Sequence, residues 1–277
     1  MHVAAASRST GHKGRLKRYR RTMSQAPQTR RQPRRVLPIV NEAQDIVDGR
    51  SLQHAQRLID DAQLDAALAV LAPLSAEPST SIRAQASLLA AALLSRRGQP
   101  ALVLELLERI PDGVVVDRGF FLLLRAQAAR QLRHVDLALR DAHEACAIAE
   151  TSGRLLVLAD CLKANDDIDA AVVVLQRARV LDPGSATVLG QLCGLLALAG
   201  DDAGSDEAWC AFAALSPAKA DAADRHRSAA FALVCRQEFQ DAVDAAALAV
   251  TLEPSITRAW LDDDDDMGPI RRDPRLR

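Results

Sequence analysis

From about Asn41 to about Trp260 the chain alternates Ala- and Leu-rich runs of about 12 to 15 residues with short breaks at Gly, Pro and Asp. Apolar residues within the runs fall at helical spacing, and even the Val cluster at Val172 to Val174 sits inside such a segment. The β-branched and aromatic runs that mark strands are scarce. The pattern predicts a succession of packed helices and no sheet.

The succession is periodic. Leu158 and Leu192, Leu162 and Leu196, and Pro183 and Pro217 are each 34 residues apart. Ala138 to Ala171 and Ala145 to Ala178 are 33 apart, and Pro217 to Pro254 is 37, with the excess absorbed in the "AKADAAD" connection. A period near 34 residues built from two helices is that of a hairpin repeat, each hairpin burying its apolar face against the next. Six hairpins are expected, at about 48–82, 84–117, 119–151, 152–185, 186–221 and 222–256. Gly or Asp in "RRGQP", "ANDD" and "LAGDD" marks the turn inside a hairpin, where a helix end favours a left-handed residue and the next helix favours an acidic start.

The segment "GRLLVLADCLKANDDIDAAVVVLQRARVLDP" carries small residues at Ala159, Ala171 and Ala178 and ends on Pro183. The segment "RHRSAAFALVCRQEFQDAVDAAALAVTLEP" carries Ala230, Ala242 and Ala249 and ends on Pro254, with Phe239 opening its second helix. This arrangement resembles the tetratricopeptide repeat family, in which small residues sit where the helices of a hairpin, and the first helix of the next, approach closely. The resemblance implies an all-α, right-handed superhelical solenoid over residues 41–260. Val103 and Phe212 stand at sites where the family has small residues, and Leu and Ala replace its frequent Trp and Tyr. A different helical-hairpin repeat is the competing reading.

Composition sharpens the picture. Apolar residues make up 49% of the chain but aromatics only 3%, so the core must be built from Ala, Leu and Val. The formal net charge of −1 conceals a division. Residues 1–40 hold eleven Lys or Arg and no acid, leaving 24 of the 35 basic residues against all 36 acidic ones. That arm, with "GRLKRYRR" and "TRRQPRR", has too little apolar content to fold and is expected to be disordered. Met23 is a possible alternative start, and the acid-free arm has some character of a mitochondrial presequence, although Gly, Pro and Gln interrupt the amphipathic helix such a signal needs. The tail, residues 261–277, opens on five consecutive aspartates and is also expected to be disordered, because like charges repel. The body is acidic and carries no apolar run long enough to cross a bilayer. Five isolated cysteines, Cys146, Cys161, Cys193, Cys210 and Cys235, read as small core residues in a reducing, cytoplasmic setting.

The sequence contains none of the phosphate-binding, dinucleotide-binding, nucleophile-elbow or zinc-protease motifs, so no catalytic residue, cofactor or metal is assigned. His54, His134, His143 and His226 are scattered over different hairpins, and the Asp262 to Asp266 run lacks the Gly turn and terminal Glu of a calcium loop. The Arg15 to Arg35 stretch offers sequence-independent affinity for phosphate, but Tyr19 alone is thin for base stacking, so nucleic acid is the weaker partner class.

Candidate chemistry therefore lies on the inner face. The resemblance implies that the first helix of each hairpin lines a concave groove, which places Arg96, Gln127, Arg130, Asp160 and Lys163 there. Three cations and one acid in a strip suit an acidic or carboxylate-bearing peptide, held by charge-assisted hydrogen bonds; a merely solvated inner face is the plainer alternative. The Asn and Lys set that grips a C-terminal carboxylate in chaperone-binding members is not reproduced. The expected function is a non-catalytic adaptor that binds a protein or peptide. The alternative is the regulatory front module of a truncated bacterial sulfotransferase or glycosyltransferase.

Overall fold

A computed structural model describes residues 42–61, 63–76, 80–111, 113–114, 117–215 and 222–276. The basic arm and Pro217 lie outside the described residues. The described residues form thirteen α-helices and no strand. Six hairpins follow in order: α1 (Glu42–Asp60) with α2 (Leu64–Ser75), α3 (Ser81–Arg96) with α4 (Pro100–Glu108), and α5 (Arg118–Gln131) with α6 (Val135–Ile148). Then come α7 (Ser152–Ala164) with α8 (Ile168–Leu181), α9 (Ala186–Leu198) with α10 (Asp202–Ala214), and α11 (Ala222–Cys235) with α12 (Phe239–Leu252). A thirteenth helix, α13 (Pro254–Asp263), and two short 3-10 turns, Asp265–Met267 and Pro274–Leu276, close the chain.

Local chemistry fixes where the helices begin. The side chains of Thr80, Asp117, Thr151, Asp167, Ser185 and Asp201 each accept a hydrogen bond from the backbone N–H three residues on, satisfying a donor that the first helical turn cannot. It also fixes where the first helix of a hairpin ends. Gly98, Arg133, Asp166, Gly200 and Gln237 all have φ between 59° and 79°. The next residue donates its N–H to the carbonyl five positions back, as in Gln99 to Leu94, His134 to Ala129, Asp167 to Leu162, Asp201 to Leu196 and Glu238 to Leu233. This is the Schellman closure, repeated at the period of the sequence. Three of the five left-handed positions are not Gly, so the repeat packing holds a conformation that L-residues resist.

The hairpins stack through small residues. Ala159, Ala171, Ala178, Ala230, Ala242 and Ala249 are all at 0% exposure. Pro183 is exposed, and Pro254 occupies the first turn of α13. The first helices lie side by side, α1 on α3, α3 on α5, α5 on α7 and α9 on α11, while each second helix from α2 to α8 also packs on the first helix of the following hairpin. Contact between α9 and α11 is close: a Cβ on Gly190 would lie 2.7 Å from the Cβ of Ser228 and 2.9 Å from its carbonyl oxygen. Where the sequence departs from small residues the core absorbs the bulk: Val103 is fully buried, and Phe212 is buried and stacks on Trp209 at 5.3 Å. Buried Asp141 on α6 accepts two hydrogen bonds from Arg125 on α5, at 2.5 and 2.8 Å, clamping the third hairpin.

Two expectations are corrected. The first hairpin begins at Glu42 rather than near residue 48; its opening turns leave Ile46 and Val47 exposed, so no apolar stripe announces them. The tail, expected to be disordered from residue 261, is ordered. It continues α13 to Asp263 and then folds back through the 3-10 turns, with Leu261, Met267, Ile270 and Leu276 all buried. Four apolar anchors and a set of cations facing the aspartates outweigh the repulsion that the run suggests.

Candidate functional site

The site forms where α13 meets the first helices of the hairpins. Thr257 of α13 is fully buried, donates to the carbonyl of Ala249 at 3.1 Å and accepts from Arg227 at 3.1 Å. Arg227 also bonds Glu253 at 3.0 Å and pairs with Asp224, so α13 is docked on the sixth hairpin. Two residues further on, the Cβ of Ala259 lies 3.0 Å from where a Cβ on Gly98 would stand, in the turn of the second hairpin. Arg96 of that hairpin reaches Glu253 at 4.0 Å. A helix with side chains is only about 10 to 12 Å across. Hairpins two and six therefore flank α13 from different sides, and the face lined by the first helices is concave.

From the last residue of α13 onward the aspartates meet the groove one by one. Asp263 pairs with Arg130 at 3.3 Å and Asp265 with Arg133 at 2.5 Å. Asp264 and Asp266 both reach the ammonium of Lys163, at 3.2 and 3.0 Å. Lys163 also lies 4.6 Å from the centre of the Phe231 ring on α11 and keeps only 17% of its side chain exposed. Arg271 then donates to the carbonyls of Leu261 and Asp264, both at 2.6 Å, and Arg275 bonds Asp244 on α12 at 2.6 Å, which fastens the return of the tail.

Burial and charge compete at this site. Burial pulls the Lys163 ammonium down, but Asp264, Asp160 and Asp266 more than offset it and the net shift is upward. Arg130 behaves alike, with burial opposed by Asp160 and Asp263. Asp160 moves the other way. Burial lifts its carboxyl above the usual aspartate range, against the pull of Arg130 and Lys163 and a side-chain hydrogen bond with Gln191. Beneath the tail remains a cavity of about 180 Å³, bounded by Asp160, Lys163, Gln191, Arg227, Trp260 and Asp264 among others.

Of the residues singled out from the sequence, Arg96, Arg130, Asp160 and Lys163 come together around α13 and its extension. Gln127 lies partly buried on α5, one turn before Arg130, and makes no hydrogen bond to the acidic segment. Sequence reasoning missed Arg133, Arg227 and the aspartates as parts of one site. The available signal was complementarity: a run of acids at one end of the chain and cations closing successive first helices. The arrangement can hold carboxylates through charge-assisted hydrogen bonds. Among the described residues no three His, Cys, Asp or Glu side chains are placed to hold a metal ion, and no helix is long and apolar enough to cross a membrane.

Neither a family model nor a curated protein matches the sequence. Solved structures do match in shape. TTC0263, a tetratricopeptide repeat protein of Thermus thermophilus, is 19% identical with a TM-score of 0.52, over 66% of this chain and 98% of its own. Pseudomonas aeruginosa PilF is 14% identical with a TM-score of 0.52, over 80% of this chain and all of its own. A double mutant of MamA is 12% identical with a TM-score of 0.50, over 60% of this chain and 92% of its own. At these identities the likeness is one of architecture, and with the hairpin period, the small-residue packing and the repeated turn it establishes that the chain has the tetratricopeptide-repeat fold.

Proposed function

We propose that the protein is a non-catalytic scaffold that binds an acidic protein segment in its concave groove. The observation that carries this reading is the occupant already there: Arg130, Arg133 and Lys163 engage four consecutive carboxylates where α13 ends and the chain turns into a 3-10 turn. Those contacts are made by side chains at the ends of α5 and α7, at a pitch set by hairpin stacking, so an acidic peptide from another protein can meet the same strip. Each partly exposed pair contributes only about 0.5 to 1 kcal/mol, but three acting on one segment change affinity tenfold or more. The five free cysteines support a reducing compartment as the setting.

Fluorescence anisotropy with a labelled Asp- and Glu-rich peptide tests this, with an Asn- and Gln-substituted counterpart as control. Binding should weaken with salt and fall at least tenfold when Arg96→Ala, Arg130→Ala and Lys163→Ala are combined. Equal affinity for the two peptides would remove the acidic ligand from consideration.

A further inference from the structure

We infer that the C-terminal segment is a built-in competitor for the groove, so that the protein is self-occluded until an acidic partner displaces residues 262–276. The inference rests on the groove reading above and adds its regulation.

Three observations support it. First, the segment takes the cations that give the groove its chemistry: Lys163 is shared by Asp264 and Asp266, and Arg130 and Arg133 each face one aspartate. Second, the attachment is divided in two. The aspartates bind through ion pairs, most of them partly exposed and so open to exchange with another carboxylate, whereas Met267, Ile270 and Leu276 provide apolar anchoring beside α11 and α12. An ion-paired half held in place by an apolar half is suited to displacement, because a competing acid can exchange with one aspartate at a time. Third, the fit is incomplete. The cavity of about 180 Å³ persists under Trp260 and Asp264, walled by the polar side chains of Asp160, Gln191 and Arg227. The segment thus covers the groove without filling it, and a partner that fills that space has contacts the tail lacks.

The test uses the full chain, the double variant Met267→Ser/Ile270→Ser, which leaves every groove cation in place, and a fluorescein-labelled peptide copying residues 259–270, AWLDDDDDMGPI. Hydrogen exchange reports the tail and anisotropy reports the groove. In the double variant residues 262–276 should exchange faster while α5, α7 and α9 stay protected, and the peptide should bind at least tenfold more tightly than to the parent. Adding Arg130→Ala and Lys163→Ala to that variant should abolish the gain. Faster tail exchange with unchanged peptide affinity overturns self-occlusion and leaves the groove reading intact. A released tail with no peptide binding to either protein overturns the groove reading itself. Unchanged tail exchange in the double variant overturns the apolar anchoring on which the inference depends.

Discussion

Lys163 and Asp264 are 101 positions apart in the chain, and the lysine Nζ lies 3.2 Å from a carboxylate oxygen of the aspartate. The pair joins the end of the fourth hairpin's first helix to the segment that follows the last hairpin, and Asp266 shares the same ammonium at 3.0 Å. The concave face is therefore where the middle of the described solenoid meets the segment that follows its last hairpin.

The first prediction concerns pH. The Lys163 ammonium is raised above its ordinary 10.5 in the folded protein, so its contribution is complete below 10.5 and is lost as pH rises through the higher folded value. Asp160 and Arg130 flank the ammonium, and burial raises the nearby Cys235 thiol well above its ordinary range. Trp260 fluorescence in a Trp209→Phe background should show an alkaline step as the tail loosens. Lys163→Arg, which stays charged, should erase the step.

Packing predicts a sharp contrast between two glycines. Gly190→Ala places a Cβ against the Ser228 backbone and should cost about 1 to 3 kcal/mol in urea unfolding as α9 and α11 are forced apart. Gly153, in the first turn of α7, has nothing within 4 Å of the equivalent position. Gly153→Ala should be neutral or stabilising by about 0.5 kcal/mol.

Ala178→Arg buries a charge at a fully enclosed site and should cost on the order of 3 kcal/mol or more, read as a loss of thermal stability. Asp263→Asn removes one partly exposed pair with Arg130 and should cost about 1 kcal/mol or less. Equal effects from the two substitutions would show that the repeat register is wrong.

Thiol reactivity should separate the cysteines. Burial, with Asp160 nearby, pushes the Cys161 thiol up to about 12, and burial also raises Cys193 and Cys235. Cys210 is exposed. Iodoacetamide at pH 8 should label Cys210 in the native protein and reach Cys161, Cys193 and Cys235 only after unfolding. Rapid native labelling at Cys161 would contradict the packing of α7.

The sequence by itself determined the hairpins. Apolar spacing, the 34-residue offsets and the turn residues act within one or two helices, and the contacts they encode, such as Ala171 and Ala178 against neighbouring helices, are local in the chain. Repeat register also suggested a row of Arg96, Gln127, Arg130, Asp160 and Lys163 along the first helices. Only the tertiary structure decided what meets that row. The fate of Asp263 to Asp266 depends on the accumulated rotation of five hairpins, which brings Gly98 within reach of Ala259, and no local pattern encodes such a sum. Read in isolation, five aspartates repel one another and predict disorder; opposite Arg130, Arg133 and Lys163, with Met267 and Ile270 buried behind them, they become a folded segment.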